Sequence, residues 1–89
     1  MVLRLQLSKS ASSIGANFIE AQATSYKEFT QKIHIALREA NEANYWLTLM
    51  DNLDLGDPKK RKYLLTEIHE ITRLLGSIVS HCHKNINAD

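Results

Sequence analysis

The chain predicts an all-α, antiparallel up-down helical bundle, and three observations predict it. From Phe29 to Leu53 apolar residues recur at helical spacing on two separate faces. From Leu64 to Cys82 they repeat alternately four and three residues apart. Capping signals fall between these stretches, where helices must start and stop. Eighty-nine residues make one domain, 1–89, near the lower limit for a self-sufficient core. With 44% hydrophobic and 24% charged residues, the composition is that of a folded chain.

The first helix is expected over about 3–23, with an apolar stripe of Leu3, Leu7, Ala11, Ile14, Phe18 and Ala21. Its middle is slim: Ser8, Ser10, Ala11, Ser12, Ser13, Gly15 and Ala16 all carry small side chains or none. Glycine within a helix costs about 1 kcal/mol against alanine. Either a closely packed neighbour compensates at Gly15, or the helix breaks at Ser12–Gly15.

The second helix is expected over about 26–54. Ser25 and Glu28 form a capping box, the hydroxyl accepting the Glu28 N–H and the carboxylate reaching back to the Ser25 N–H. One stripe is Phe29, Ile33, Ala36, Ala40, Ala43, Leu47 and Met50. A second stripe, Ile35, Trp46, Leu49 and Leu53, lies roughly 120° away around the helix. A surface helix of a monomer needs one stripe, so the second is read as an oligomer interface. Gly56 suits a left-handed position after the helix. Asp57 then caps the third helix, over about 58–84, with Pro58 in its first turn. Its stripe is Leu64, Ile68, Ile71, Leu75, Ile78 and Cys82, and Asn85–Asp89 reads as a frayed polar tail. Short connections make successive helices antiparallel neighbours.

Charge and composition exclude several classes. A net charge of +1 gives no global field to attract nucleic acid or an anionic membrane, although a local patch remains possible. No apolar run approaches the roughly 20 residues of a membrane span, and the start lacks the order of a secretory signal. The single cysteine, Cys82, cannot form an intrachain disulfide. A cytoplasmic protein is expected.

Two motif blocks carry a family resemblance. The first is Ser12-Ser13-Ile14-Gly15-Ala16-Asn17 with Glu20-Ala21. The second is Ser25, Lys27-Glu28-Phe29 and Ile35-Ala36-Leu37-Arg38-Glu39-Ala40-Asn41-Glu42 with Tyr45-Trp46-Leu47. Over about Leu3–His83 the chain resembles the bacterial four-helix-bundle proteins encoded in intervening sequences of 23S rRNA genes. The resemblance implies a cytoplasmic all-α bundle that tends to form homopentameric rings. It also implies a relation to the accessory protein of diversity-generating retroelements, which is thought to bind nucleic acid. Family members usually begin with a further long helix before the segment matching Val2–Leu7. This chain therefore resembles a bundle without that first helix, carrying three long helices where the family has four.

Lys59, Lys60, Arg61 and Lys62 place four cations at the positive end of the third helix, where each is unfavourable by a few tenths of a kcal/mol. Phosphate-backbone contact would explain them, joined by Arg73 further along; a solvated charged face is the bland alternative. Asn17, Glu20, Arg38 and Glu42, with Glu39 nearby, form a candidate polar network, Arg38 and Glu42 being spaced as an i,i+4 pair. A structural network is preferred over paired catalytic carboxylates. No metal site is expected: His81 and His83 point about 200° apart on a helix, and the Glu-x-x-His spacing of helical di-iron sites is absent. Ser12 and Ser13 lie inside a helix and Cys82 within an apolar stripe, so no nucleophile is set up. Neither enzyme activity, cofactor nor small-molecule substrate is expected. Two readings remain open. One is a homo-oligomeric module that binds RNA or DNA. The other is a protein adaptor whose exposed apolar helix face receives a partner helix.

Overall fold

The computed structural model describes residues 2–22 and 25–87, and the side chains of 4–22 and 25–82. Three helices follow one another: α1 (Val2–Ala21), α2 (Tyr26–Asn52) and α3 (Pro58–Asn87). The expected residues Ala23 and the side chains of Leu3 and His83 fall outside the described residues. The expected polar tail is a correction: α3 continues through Asn85 to Asn87, since neither glycine nor proline follows Gly76 to stop it. α1 also runs unbroken through Gly15.

α2 is the central element. Its first stripe forms the core, with Ile33, Ala36, Ala40, Ala43, Leu47 and Met50 all buried. α1 and α3 each pack on α2, from opposite sides of this stripe, and among the described residues no Cα atom of α1 lies within 8 Å of one of α3. The three alanines are slim enough for both flanking helices to approach closely. Ala21 of α1 and Ile68 and Leu75 of α3 join this seam in one buried cluster, and Ser10 of α1 and Cys82 of α3 are buried as well.

The N-terminus of α2 is capped as the sequence predicts, with the Ser25 hydroxyl accepting the Glu28 N–H at 3.3 Å. Among the described residues the return bond from the Glu28 carboxylate is not made, so only half of the capping box forms. The C-terminus differs from expectation. The left-handed residue that ends α2 is Asp54 (φ 54°), not Gly56, which is a second left-handed position in the connection (φ 76°). The Asp54 N–H donates to the Asp51 carbonyl at 3.1 Å and the Leu55 N–H to the Met50 carbonyl at 2.9 Å, the paired bonds of a Schellman turn. Asp57 caps α3 as predicted, its carboxylate accepting the Lys59 N–H at 3.0 Å.

Arg61 explains why an aspartate tolerates that conformation. Its side chain is 6% exposed and fills the inside of the connection. It donates to the Asp51 carboxylate at 3.1 Å, to the Asp54 carboxylate at 2.9 Å, and to the carbonyls of Leu55 and Gly56. Burial acts to lower the guanidinium pKa, but the hydrogen bonds and charges of Asp51 and Asp54 outweigh it and raise the pKa above the usual arginine value. Arg61 is thereby removed from the expected phosphate-binding set. Arg61→Gln should lower the thermal midpoint by several degrees, whereas Lys60→Gln on the exposed side should leave it almost unchanged. Melting followed by circular dichroism tests this, and equal midpoints for the two variants would contradict it.

Candidate functional site

An opening between α1 and α3 holds about 510 Å³ of free space. Its floor is Ala43 and Leu47 of α2. One wall is Arg4, Leu7, Ser8, Ala11, Ile14 and Gly15 of α1; the other is Leu64, Glu67, Ile68 and Ile71 of α3. The walls are the predicted core stripes of the two helices, and here the prediction needs correction. Among the described residues of the α1 stripe Ala21 is fully buried, Leu7 and Ile14 are half-buried and pack against the core as expected, and Phe18 is 37% exposed. On α3 the alternate members Ile68, Leu75 and Cys82 face α2, while Leu64 (42% exposed) and Ile71 (37%) face the opening. The groove occupies the position of a fourth helix in a four-helix bundle, opposite α2.

The surface area supports the same conclusion. A compact monomer of this mass should expose roughly 5,300 Å², and the protomer exposes 6177 Å². The excess is of the order of the roughly 800 Å² that one partner contributes to a standard protein interface. Gly15 adds a local sign, since a Cβ there would meet nothing within 4 Å. Among the described residues no close neighbour justifies a slim helix at this point.

The expected interface stripe on α2 is less open than its sequence suggests. Ile35, Trp46 and Leu49 are half-buried, and Leu53 is 56% exposed. Sequence reasoning placed the vacancy on this second face of α2; the structure places the larger one between α1 and α3. The spacing signal was available, since Leu7–Ala11–Ile14–Phe18 and Leu64–Ile71–Ile78 read equally well as groove walls. Arg4 and Glu67 were missed, although each follows the spacing of its wall.

The basic cluster divides. Lys59, Lys60 and Lys62 are exposed, as is Arg73. Lys62 and Arg73, three turns apart, lie within about 20° of each other around α3, with Lys59 close to the same face. Arg61 points the other way, into the α2–α3 connection. The expected polar network does not assemble. Asn17 donates to the Ser13 carbonyl at 2.8 Å, Glu20 pairs with Lys32 at 2.9 Å, and Glu42 accepts from the Trp46 indole at 3.3 Å. Arg38 lies on the outer face of α2 beside His34 and Asn41, and among the described residues it has no ionic partner. Glu39 and Glu42 instead border a polar cleft against Gln6, Lys9, Ser10 and Ser13 of α1. Among the described residues no group of three potential ligands could hold a metal, and no helix is long and apolar enough to cross a membrane.

Residues 1–77 match the sequence profile of a family described as 23S rRNA-intervening sequence protein. Among solved structures, a protein of unknown function from the S23 ribosomal protein family of Bacteroides thetaiotaomicron is similar at a TM-score of 0.83 and 38% identity. The match covers 89% of this chain and 74% of that one. Comparison with curated proteins gives no match.

Separation of the polar groups carries a thermodynamic expectation. Arg38→Met and Glu42→Leu should change stability independently, the double variant falling within about 0.5 kcal/mol of the sum of the singles. Urea denaturation of the three variants measures this, and a larger coupling would require the two side chains to interact.

Proposed function

Since this chain belongs to the 23S rRNA-intervening sequence protein family, and its protomer leaves one bundle position open, we propose that it is a non-enzymatic, homo-oligomeric assembly module. Its α1–α3 groove takes a further helix. The observation that carries this reading is the groove itself, walled by aliphatic side chains and floored by Ala43 and Leu47. Leaving Leu64 and Ile71 in water forfeits roughly 25 cal/mol for each Å² that a docked helix would cover. The groove offers a seam of side chains rather than convergent polar groups, which suits a helix and not a small substrate. Cys82, buried and without a disulfide, fits work in a reducing cytoplasm.

Ile71→Asp places a charge on the groove wall and outside the buried α2–α3 contact. It should shift the protein toward the protomer mass while retaining helical content. Light scattering over a range of concentrations, with circular dichroism, reads both. A wild-type mass equal to one protomer at every concentration would remove the oligomeric reading.

A second reading rests on a different face. Lys59, Lys62 and Arg73 are exposed on one side of α3 and suit a phosphate backbone, with Lys60 beside them. Binding to RNA or DNA through them should be weak per protomer, independent of sequence and strengthened by multivalency. With Lys59, Lys62 and Arg73 all changed to glutamine, the slope of log affinity against log salt should flatten by roughly 0.9 for each duplex phosphate no longer neutralised. Fluorescence anisotropy with labelled duplex DNA at several salt concentrations measures the slope. An unchanged slope would exclude this face.

A further inference from the structure

We propose that the polar cleft between α1 and α2 binds a small primary ammonium ion, a single positive charge that carries three N–H donors. The cleft holds about 260 Å³ of free space. It is lined by Gln6, Lys9, Ser10 and Ser13 of α1 and by Glu39 and Glu42 of α2. It shares no residue with the α1–α3 groove, and its chemistry does not depend on what fills that groove.

Two side chains set this cleft apart from an ordinary polar surface. Ser10 is 2% exposed and borders the cleft, yet among the described residues its hydroxyl makes no hydrogen bond. Glu39 is half-buried, and among the described residues its carboxylate has neither an ionic nor a hydrogen-bond partner. A polar group withdrawn from water without a partner is costly, and more so when it is charged. One ligand relieves both if it donates hydrogen bonds and carries positive charge.

Helix register brings the groups together. Glu20 and Lys32 pair across α1 and α2 at 2.9 Å. Seven residues back from Glu20 is Ser13, and seven on from Lys32 is Glu39; ten residues in each direction reach Ser10 and Glu42. In antiparallel helices of equal rise, Ser13 therefore stands level with Glu39, and Ser10 with Glu42. Glu39 and Glu42 are also neighbours three apart on one helix, where like charges repel. Glu42 uses Oε1 to accept from the Trp46 indole, and Ser13 Oγ accepts from the Asn17 amide. The Ser10 hydroxyl, the Glu39 carboxylate and the second oxygen of Glu42 remain, three acceptor groups for the three donors of an ammonium. A metal ion fits less well, since among the described residues no three ligating side chains gather. Lys9 against Glu39 and Glu42 leaves the cleft one negative charge in excess, which one ammonium neutralises. The same lysine repels a second cation, which favours a monoamine over a polyamine.

The test is an NMR titration of the isotope-labelled full chain at neutral pH and constant ionic strength, with n-butylammonium as the probe. The amide signals of Ser10, Ser13, Glu39 and Glu42 should shift and saturate, while those lining the α1–α3 groove stay in place. Tetramethylammonium has the same charge but no N–H donor, and it should bind at least roughly tenfold more weakly. Glu39→Gln should weaken n-butylammonium binding roughly tenfold and Ser10→Ala roughly fivefold. Both substitutions nearly preserve side-chain volume, so the spectra should keep their native dispersion. Glu67→Gln, on the groove wall, should leave the affinity unchanged. Absence of a saturable shift at the cleft overturns the proposal. Equal binding of tetramethylammonium and n-butylammonium does so too, as does wild-type affinity in both Ser10→Ala and Glu39→Gln.

Discussion

The alanine seam of α2 constrains everything else in this protomer. Ala36, Ala40 and Ala43 are buried to within about a percent of completely, and a helix this slim lets two neighbours approach at the short end of interhelical distances. α1 and α3 both use it, one from each side. Because they share one narrow stripe, they flank α2 without meeting, and their own apolar stripes are only partly covered by it. The open groove is the geometric consequence. A bulkier seam would have pushed both neighbours outward and left less for them to share.

The connection between α2 and α3 shows how a few charges hold the architecture. Asp54 adopts a left-handed conformation that glycine or asparagine would take more readily. It does so while its carboxylate meets Arg61 beneath the turn. Arg61 also takes up two carbonyls that the tight turn leaves pointing inward. One side chain thus satisfies acceptors from both ends of the connection and ties the start of α3 to the end of α2. The residue belongs by sequence to a run of four cations, yet its role differs from that of its neighbours because α3 turns it toward α2.

Membership of the 23S rRNA-intervening sequence protein family and the similarity to the Bacteroides structure agree with the fold. The functional argument rests on chemistry within the protomer. Its polar groups are dispersed among separate local contacts: Asn17 with Ser13, Glu20 with Lys32, Glu42 with Trp46. Dispersed pairs of this kind fix helix positions and do not converge on a reacting atom. What converges instead is apolar, and it converges on a vacancy. Assembly is therefore the role we propose, with the exposed face of Lys59, Lys62 and Arg73 as a separate feature on the outside of α3.

The sequence by itself determined the number and order of the helices and the capping residues at the starts of α2 and α3. Helical periodicity and the residues Ser25, Asp57 and Pro58 act over a few neighbours, so they can be read locally. It also indicated the core face of α2, where six of the seven residues spaced alternately four and three apart are buried. Only the tertiary structure decided which face of α1 and of α3 meets α2. Leu7 and Ile14 pack against the core only half-buried, Ala11 and Phe18 stay exposed, and Ser10, a small polar residue, is buried together with Ala21. The alanine seam admits a small residue there and turns the larger ones toward the groove. Periodicity likewise could not separate Arg61 from Lys60, nor pair Glu20 with Lys32 across two helices. Those outcomes depend on the rotation of each helix about its axis, which packing sets.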